Sequence, residues 1–207
     1  GALTLTGPLG NFDIFVEGVI ARGSPKAFYS SFKSTPPYYN KISSDDIRNT
    51  LYPSATMGFL YNNQNGDFTA IAQYFFNGEG YSDADRTSLF NSYESQPAAV
   101  KKMILYSIAM GDLKNFPFLS GQHYGAANLS LSEIAGSDFS FSVMGIMNFS
   151  DISGLAQPTL SLEISDYLKL SIFSTFIFGA DNTEYGILGQ GRPVTIGIKL
   201  SAGTGNF

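Results

Sequence analysis

Residues 158–181 read PTLSLEISDYLKLSIFSTFIFGAD, and the alternation in this stretch decides the fold. Leu160, Leu162 and Ile164 alternate with Thr159, Ser161 and Glu163. After a turn at Ser165-Asp166, Leu168, Leu170, Ile172, Ser174, Phe176 and Phe178 alternate with Lys169, Ser171 and Thr175. Successive side chains on a strand point to opposite sides, so a period of two held this long predicts two strands, each with an apolar and a polar face. Strands of about ten residues exceed the five or six typical of a soluble sandwich and match the length that crosses a bilayer at a tilt.

The same pattern extends outward in both directions. Val194, Ile196, Ile198 and Leu200 alternate with Thr195, Lys199 and Ser201, and Phe139, Phe141, Val143, Gly145, Met147 and Phe149 alternate with Ser140, Ser142, Asn148 and Ser150. Gly125 to Leu131, Phe68 to Phe76, Ala55 to Tyr61, Phe12 to Ile20 and Leu3 to Thr6 carry weaker copies, for about nine strands in all. Some connections are short and turn-like: Pro8 to Asn11, Asn62 to Asp67, Ala135 to Asp138, Ser165-Asp166. Others are long, at 23–52, 80–119 and 180–192, with a short link at 150–154 as the exception. Short turns at one end and long loops at the other are the asymmetry of a transmembrane β-barrel, which makes 23–52 and 80–119 its outer loops.

The long segments carry local signals. Ser95 as a cap, Pro97 in the first turn and Gly111 as a stop predict a helix across 96–110, with Val100, Met103, Ile104 and Ile108 on one stripe. It packs on the barrel rim or narrows the lumen. Asp83 to Tyr93 and Ser44 to Tyr52 are weaker helix candidates.

Composition narrows the function. With 43% apolar, 14% aromatic and 14% charged residues, the chain is too hydrophobic for disorder and poor in charge for a soluble surface. A net charge of −5 provides no basic footprint for nucleic acid, and the lack of cysteine excludes a disulfide scaffold, a thiolate zinc site and a cysteine nucleophile. No apolar run is long enough for a membrane-spanning helix. Gly1-Ala2-Leu3 lacks a basic n-region, which reads as a mature chain or a fragment.

Groups suited to catalysis are scarce. His123 is the single histidine, which excludes a two-histidine metal site, and no G-x-S-x-G turn accompanies it. It reads as a rim or lumen residue, and the chain is not expected to be an enzyme. Gly186, Gly189 and Gly191 lack the spacing of a phosphate loop. No cofactor is expected, although Asp181 with Glu184, and Asp83 with Asp85, are loop carboxylate pairs that could hold calcium. The polar parity of the strands makes Asp13, Glu17, Gln73, Asn77, Asn128, Glu163, Lys169 and Lys199 lumen-lining candidates together with His123. The apolar parity makes Leu168, Leu170, Ile172, Val194, Ile196 and Ile198 lipid-facing. Aromatics gather at strand ends, at Tyr61, Phe68, Tyr74, Phe76, Phe139, Phe149, Tyr167 and Phe178, as two girdles would.

The hairpins LSLSEIAGSDFSFSVMGIMNFSD and PTLSLEISDYLKLSIFSTFIFGAD, followed by VTIGIKLSA and Phe207, resemble the C-terminal part of a bacterial outer-membrane β-barrel of the porin-like kind. The resemblance implies an antiparallel up-and-down barrel in the bacterial outer membrane, a role for Phe207 as an assembly signal, and a passive pore for small polar solutes. An odd strand count leaves two open edges. A strand unread within 23–52 or 96–118, or missing N-terminal strands or another chain, would then complete the barrel, which could also form homo-oligomers. Two other readings stay open. One is a non-conducting anchor that binds through the loop aromatics Phe28, Tyr29, Phe32, Tyr38, Tyr39, Phe90 and Tyr93; the other is a soluble lectin- or capsid-like β-sandwich.

Overall fold

The structure is a computed structural model that describes the chain except residues 44–46, 64, 66, 112, 114–119, 190–192 and 204–207. Strands β1 (Ala2–Leu9), β2 (Phe12–Arg22), β5 (Leu51–Asn62), β6 (Phe68–Asn77), β7 (His123–Leu131), β8 (Phe139–Asn148), β9 (Ser153–Ser165), β10 (Leu168–Phe178) and β11 (Val194–Ala202) form one nine-stranded antiparallel meander in that order. The nine strands follow the alternation in the sequence. Within 23–52 a separate hairpin, β3 (Tyr29–Phe32) with β4 (Tyr39–Lys41), forms its own two-stranded sheet, so the strands unread in that segment leave the main sheet odd. The candidate helix over Ser44 to Tyr52 is corrected in part: Leu51 and Tyr52 belong to β5, and residues 44–46 lie outside the described residues.

The expected closed barrel is not found. β1 and β11 each have one neighbour and form the two edges of an open sheet. The reason lies in strand count. Nine alternating strands leave β1 and β11 running in the same direction, from the end that carries the long connections to the end that carries the short turns, so the two edges cannot join by an antiparallel ladder. Among the described residues no second sheet packs against either face.

Registers align the apolar parity into one continuous face. A single row runs Gly7, Ile14, Phe59, Ala72, Ala127, Gly145, Ala156, Phe176, Val194 across all nine strands. Between the strand ends this face carries no charged side chain; Arg22, at the loop-end tip of β2, is the one charge of its parity. The charges of the main sheet (Asp13, Glu17, Glu163, Lys169 and Lys199) lie on the opposite face. Large apolar side chains stay open on this face: Ile196 is 74% exposed, Ile198 72%, Leu5 62%.

The main hydrophobic core lies in the loops instead. Helices α1 (Asp83–Glu94) and α2 (Ala98–Ala109), the β3–β4 hairpin and the short helix α3 (Glu184–Gly189) bring Tyr29, Phe32, Tyr81, Leu89, Phe90, Tyr93, Ile104, Leu113 and Ile187 together in one cap. Phe32 meets Tyr93 edge-on with centroids 5.8 Å apart, and Tyr29 meets Tyr39 at 5.2 Å. Ser82 caps α1, accepting from the Asp85 N–H, and Pro97 opens α2, which stops before Gly111 at φ +78°. Ser95 is not the cap of α2: it closes α1, its N–H donating to the Asn91 carbonyl. On α2, Ile104 is fully buried with Val100 and Ile108 beside it, while Met103, assigned by spacing to the same stripe, is half exposed.

Candidate functional site

At the loop end of the polar face, Tyr124, Asn148 and Ser153 stand directly opposite one another on β7, β8 and β9. All three are buried. Above them α3 presents Glu184, whose side chain is 1% exposed. Its Oε2 accepts from the Tyr124 hydroxyl at 2.7 Å, Asn148 Nδ2 at 2.9 Å, the Ser120 hydroxyl at 3.1 Å and the Ser120 N–H at 3.3 Å. A buried carboxylate is tolerated only where donors replace water, and here the donors come from β7, β8 and the loop that precedes β7.

A second carboxylate extends the network. Asp151, in the link between β8 and β9, accepts the Glu184 N–H at 2.8 Å and holds the Ser153 hydroxyl at 2.6 Å. It also pairs with Arg86 of α1 at 3.4 Å, and Arg86 donates to the Ser150 carbonyl at 2.6 Å. Ser150 Oγ in turn accepts the N–H groups of Gln122 and His123. Asn77 Nδ2 donates to the Gly121 carbonyl at 3.1 Å. Segments 78–122, 149–152 and 179–193 are thereby sewn to one another and to the polar face. The tight turn into α3 needs glycine at 186, because a Cβ there would run into the carbonyl oxygen of Ala180.

The network provides no nucleophile–base pair. The carboxylates accept from the hydroxyls of Ser153, Tyr124 and Ser120, the Ser150 hydroxyl accepts backbone N–H groups, and together these bonds latch the cap to the sheet. Among the described residues no cluster of three or more metal-ligating side chains forms. The calcium expectation at Asp181 and Glu184 is corrected for Glu184, which is turned inward onto protein donors. At the other pair, Asp85 accepts from the Ser82 hydroxyl at 2.6 Å in the cap of α1.

The candidates drawn from alternation fall in three places. Asp13, Glu17, Gln73, Asn128, Glu163, Lys169 and Lys199 lie on the polar face; Lys169 and Glu163 pair across β10 and β9 at 3.2 Å. Asn77 shares that parity but is buried within the latch rather than open to a channel. His123 is corrected: it lies on the apolar face opposite Phe76, with its Nδ1 2.6 Å from the Tyr74 hydroxyl. Leu168, Leu170, Ile172, Val194, Ile196 and Ile198 share the apolar face, and Phe207 lies outside the described residues. Asp151 and Arg86 went unread as site residues, and Glu184 was read only as a calcium candidate. Their one sequence signal is that Asn77, Tyr124, Asn148 and Ser153 bring polar groups to the loop ends of successive strands, next to rows of Phe75, Ile146 and Leu155.

The loop aromatics read as a binding surface are mostly interior: Tyr29, Phe32, Phe90 and Tyr93 are buried, with Phe28, Tyr38 and Tyr39 packed against them. Burial pushes the phenols of Tyr81, Tyr93 and Tyr185 up to about 12 each. A raised phenol favours the folded state below its unfolded pKa near 10 and loses that contribution as pH rises through about 12. The cap is therefore expected to loosen between pH 10 and 12, with tyrosinate absorbance rising together with protease cleavage of 78–122. Ionisation near pH 10 with no loosening would contradict the burial.

Comparison of the chain with family models, with curated proteins and with solved structures finds no match. No helix among the described residues is long and apolar enough to cross a membrane, which says nothing of crossing by strands.

Proposed function

We propose that the chain forms the wall, or a sector of the wall, of a bacterial outer-membrane-type β-barrel that acts as a passive pore for small polar solutes. The observation that carries this reading is the segregation of charge: a nine-strand apolar face, uncovered and uncharged between its ends, backs a face that bears every strand charge of the main sheet but Arg22. In water such a face would aggregate; in lipid it needs no partner.

Two aromatic clusters bound the face. Phe12, Tyr61 and Phe68 meet at the turn end, with centroids 5.1 and 5.9 Å apart. Tyr74, Phe76 and His123 meet at the loop end, at 6.1 and 5.4 Å. Along β6 they are separated by six to eight residues, roughly 20–26 Å of strand. Strands of 8 to 13 residues suit a tilted crossing. Because lipid does not tolerate free backbone groups, further strands from another segment or another chain complete the ring in this reading.

The cap lies on the polar face through α3, which packs on β9 and β10, and so narrows the lumen side. The anchor reading is less favoured, since most of the loop aromatics are buried in the cap core. For the sandwich reading, no second sheet packs against the nine-stranded one among the described residues. No catalytic step is assigned. Planar-bilayer conductance of the intact protein, compared with a deletion of residues 96–110, tests the pore: both conduct, and the deletion conducts more because α2 no longer braces the cap. Silence in both would overturn the pore and favour the anchor.

A further inference from the structure

We infer that the cap is a two-state gate released at one point, the link 149–152 between β8 and β9. The gate rests on the geometry of the cap, and its effect on conduction rests on the pore reading above. Both arms of the cap hang on this link. Asp151 Oδ2 accepts the Glu184 N–H of α3 at 2.8 Å, and the same oxygen pairs with Arg86 of α1 at 3.4 Å. Arg86 also reaches the Ser150 carbonyl, and the Ser150 hydroxyl accepts the N–H groups of Gln122 and His123 at 3.1 and 3.2 Å. The link thus holds the connection 78–122 near both of its ends and the segment 179–193 at the start of α3. Since α1 and α3 share one carboxylate oxygen, displacing it releases both.

A latch built only for stability would be relaxed when closed, and this one is not. Ile152 sits at φ +55°, the one β-branched residue with a left-handed backbone among the described residues. Branching at Cβ makes that region costly. The Ile152 side chain is 70% exposed, so little packing offsets the backbone. Asp151 holds it there: Oδ1 accepts the N–H and the hydroxyl of Ser153 at 3.2 and 2.6 Å and closes a turn across Ile152. Two buried polar atoms on α1 add to the load, since Arg86 Nε and the Tyr93 hydroxyl have no hydrogen-bond partner. Water would satisfy both once α1 lifts. Opening therefore relaxes one strained residue and hydrates two orphaned groups, while closure depends on the contacts of one carboxylate. An element so balanced has two arrangements, latched and released, rather than a continuum.

Limited proteolysis of the full chain in detergent reads the gate without reference to conduction, because cleavage follows the population of the open form. Asp151→Asn keeps the shape of the side chain and removes its charge; it should speed cleavage of 78–122 and of 179–193 together, each about tenfold. Ile152→Asn accepts a left-handed backbone and should slow both about fivefold. Tyr93→Phe removes the orphaned hydroxyl, keeps the ring against Phe32, and should slow both about tenfold. These two slowing variants carry the test should Asp151→Asn fail to fold. Faster cleavage of only one segment in Asp151→Asn overturns the single release point. Unchanged or faster cleavage in either Ile152→Asn or Tyr93→Phe overturns the strained closed state. In planar bilayers the parent should step between two conductance levels, with Asp151→Asn favouring the higher and Tyr93→Phe the lower. Silence in all of them, with proteolysis as expected, overturns the pore reading and leaves the gate of the cap standing.

Discussion

Replacing Ile172 by arginine is expected to block membrane assembly, while Ser171→Arg, one residue away, is tolerated. Ile172 lies mid-strand on the apolar face between Ile198 of β11 and Leu160 of β9 and is 48% exposed. In the proposed orientation that exposure is to hydrocarbon, where an arginine costs about 2–4 kcal/mol at the midplane. Ser171 faces the other way, opposite Lys199 and Ser161, and hydrogen-bonds Ser161 at 2.8 Å. An arginine there loses one side-chain bond and gains a like-charged neighbour, about 1 kcal/mol, while its guanidinium stays in water. The folded fraction recovered in lipid vesicles, read as heat-dependent mobility on a denaturing gel, separates the two. Equal tolerance at both positions would sink the assignment of faces.

Glu184→Ala should release the cap. The substitution leaves the Tyr124 hydroxyl, Asn148 Nδ2 and both Ser120 donors without their shared acceptor in a buried site. Orphaned buried donors cost about 1–3 kcal/mol each, less what water recovers on entry, so about 3–5 kcal/mol is expected locally. Tyr124→Phe removes one donor to Glu184, which keeps its others, but also takes the acceptor from the buried Gly121 N–H, so about 1–3 kcal/mol is expected. The readout is protease sensitivity of 179–193 with the strands intact. In the pore reading, the alanine variant should also conduct more than the parent. A cap that resists protease as the parent does would show that α3 is held by its apolar contacts, chiefly Ile187, rather than by the carboxylate.

The strands were legible because each repeats one local rule over many residues. Leu168 to Ile172 alternates cleanly and Phe176 and Phe178 resume the same parity, although Ser174 falls on it and Phe173 and Ile177 on the other, and the hydrogen-bond ladder places each parity on one face. Helix α2 was legible from Pro97 and Gly111. Helix α3 was not: Glu184-Tyr185-Gly186-Ile187-Leu188-Gly189 has two glycines and the look of a loop. Its turn is helical because Asp151, 33 positions earlier, accepts the Glu184 N–H. The latch escaped for the same reason. Arg86 and Ser120 lie in one connection, Asp151 in another, and Tyr124 and Asn148 on two strands, and alternation within a strand carries nothing about partners so far along the chain. His123 was misplaced because it begins its strand, where parity rests on the register with Phe76 rather than on a run of neighbours.

The two sheet edges fix a parity for whatever completes them. Gly1 and Ile20 exchange both backbone hydrogen bonds, so the odd-numbered residues of β1 bond to β2. The even-numbered ones, Ala2, Thr4 and Thr6, present N–H groups outward, and Pro8 has none to present. A strand joining this edge can build its ladder on three donors and must give up at the proline. Since β1 and β11 run the same way, a ring that is antiparallel throughout needs an odd number of added strands. An even number, or none, forces one parallel seam. A seam made directly between β11 of one copy and β1 of the next keeps every loop cap on the same side of the sheet, so rings of this chain would be polar objects with one capped mouth and one bare.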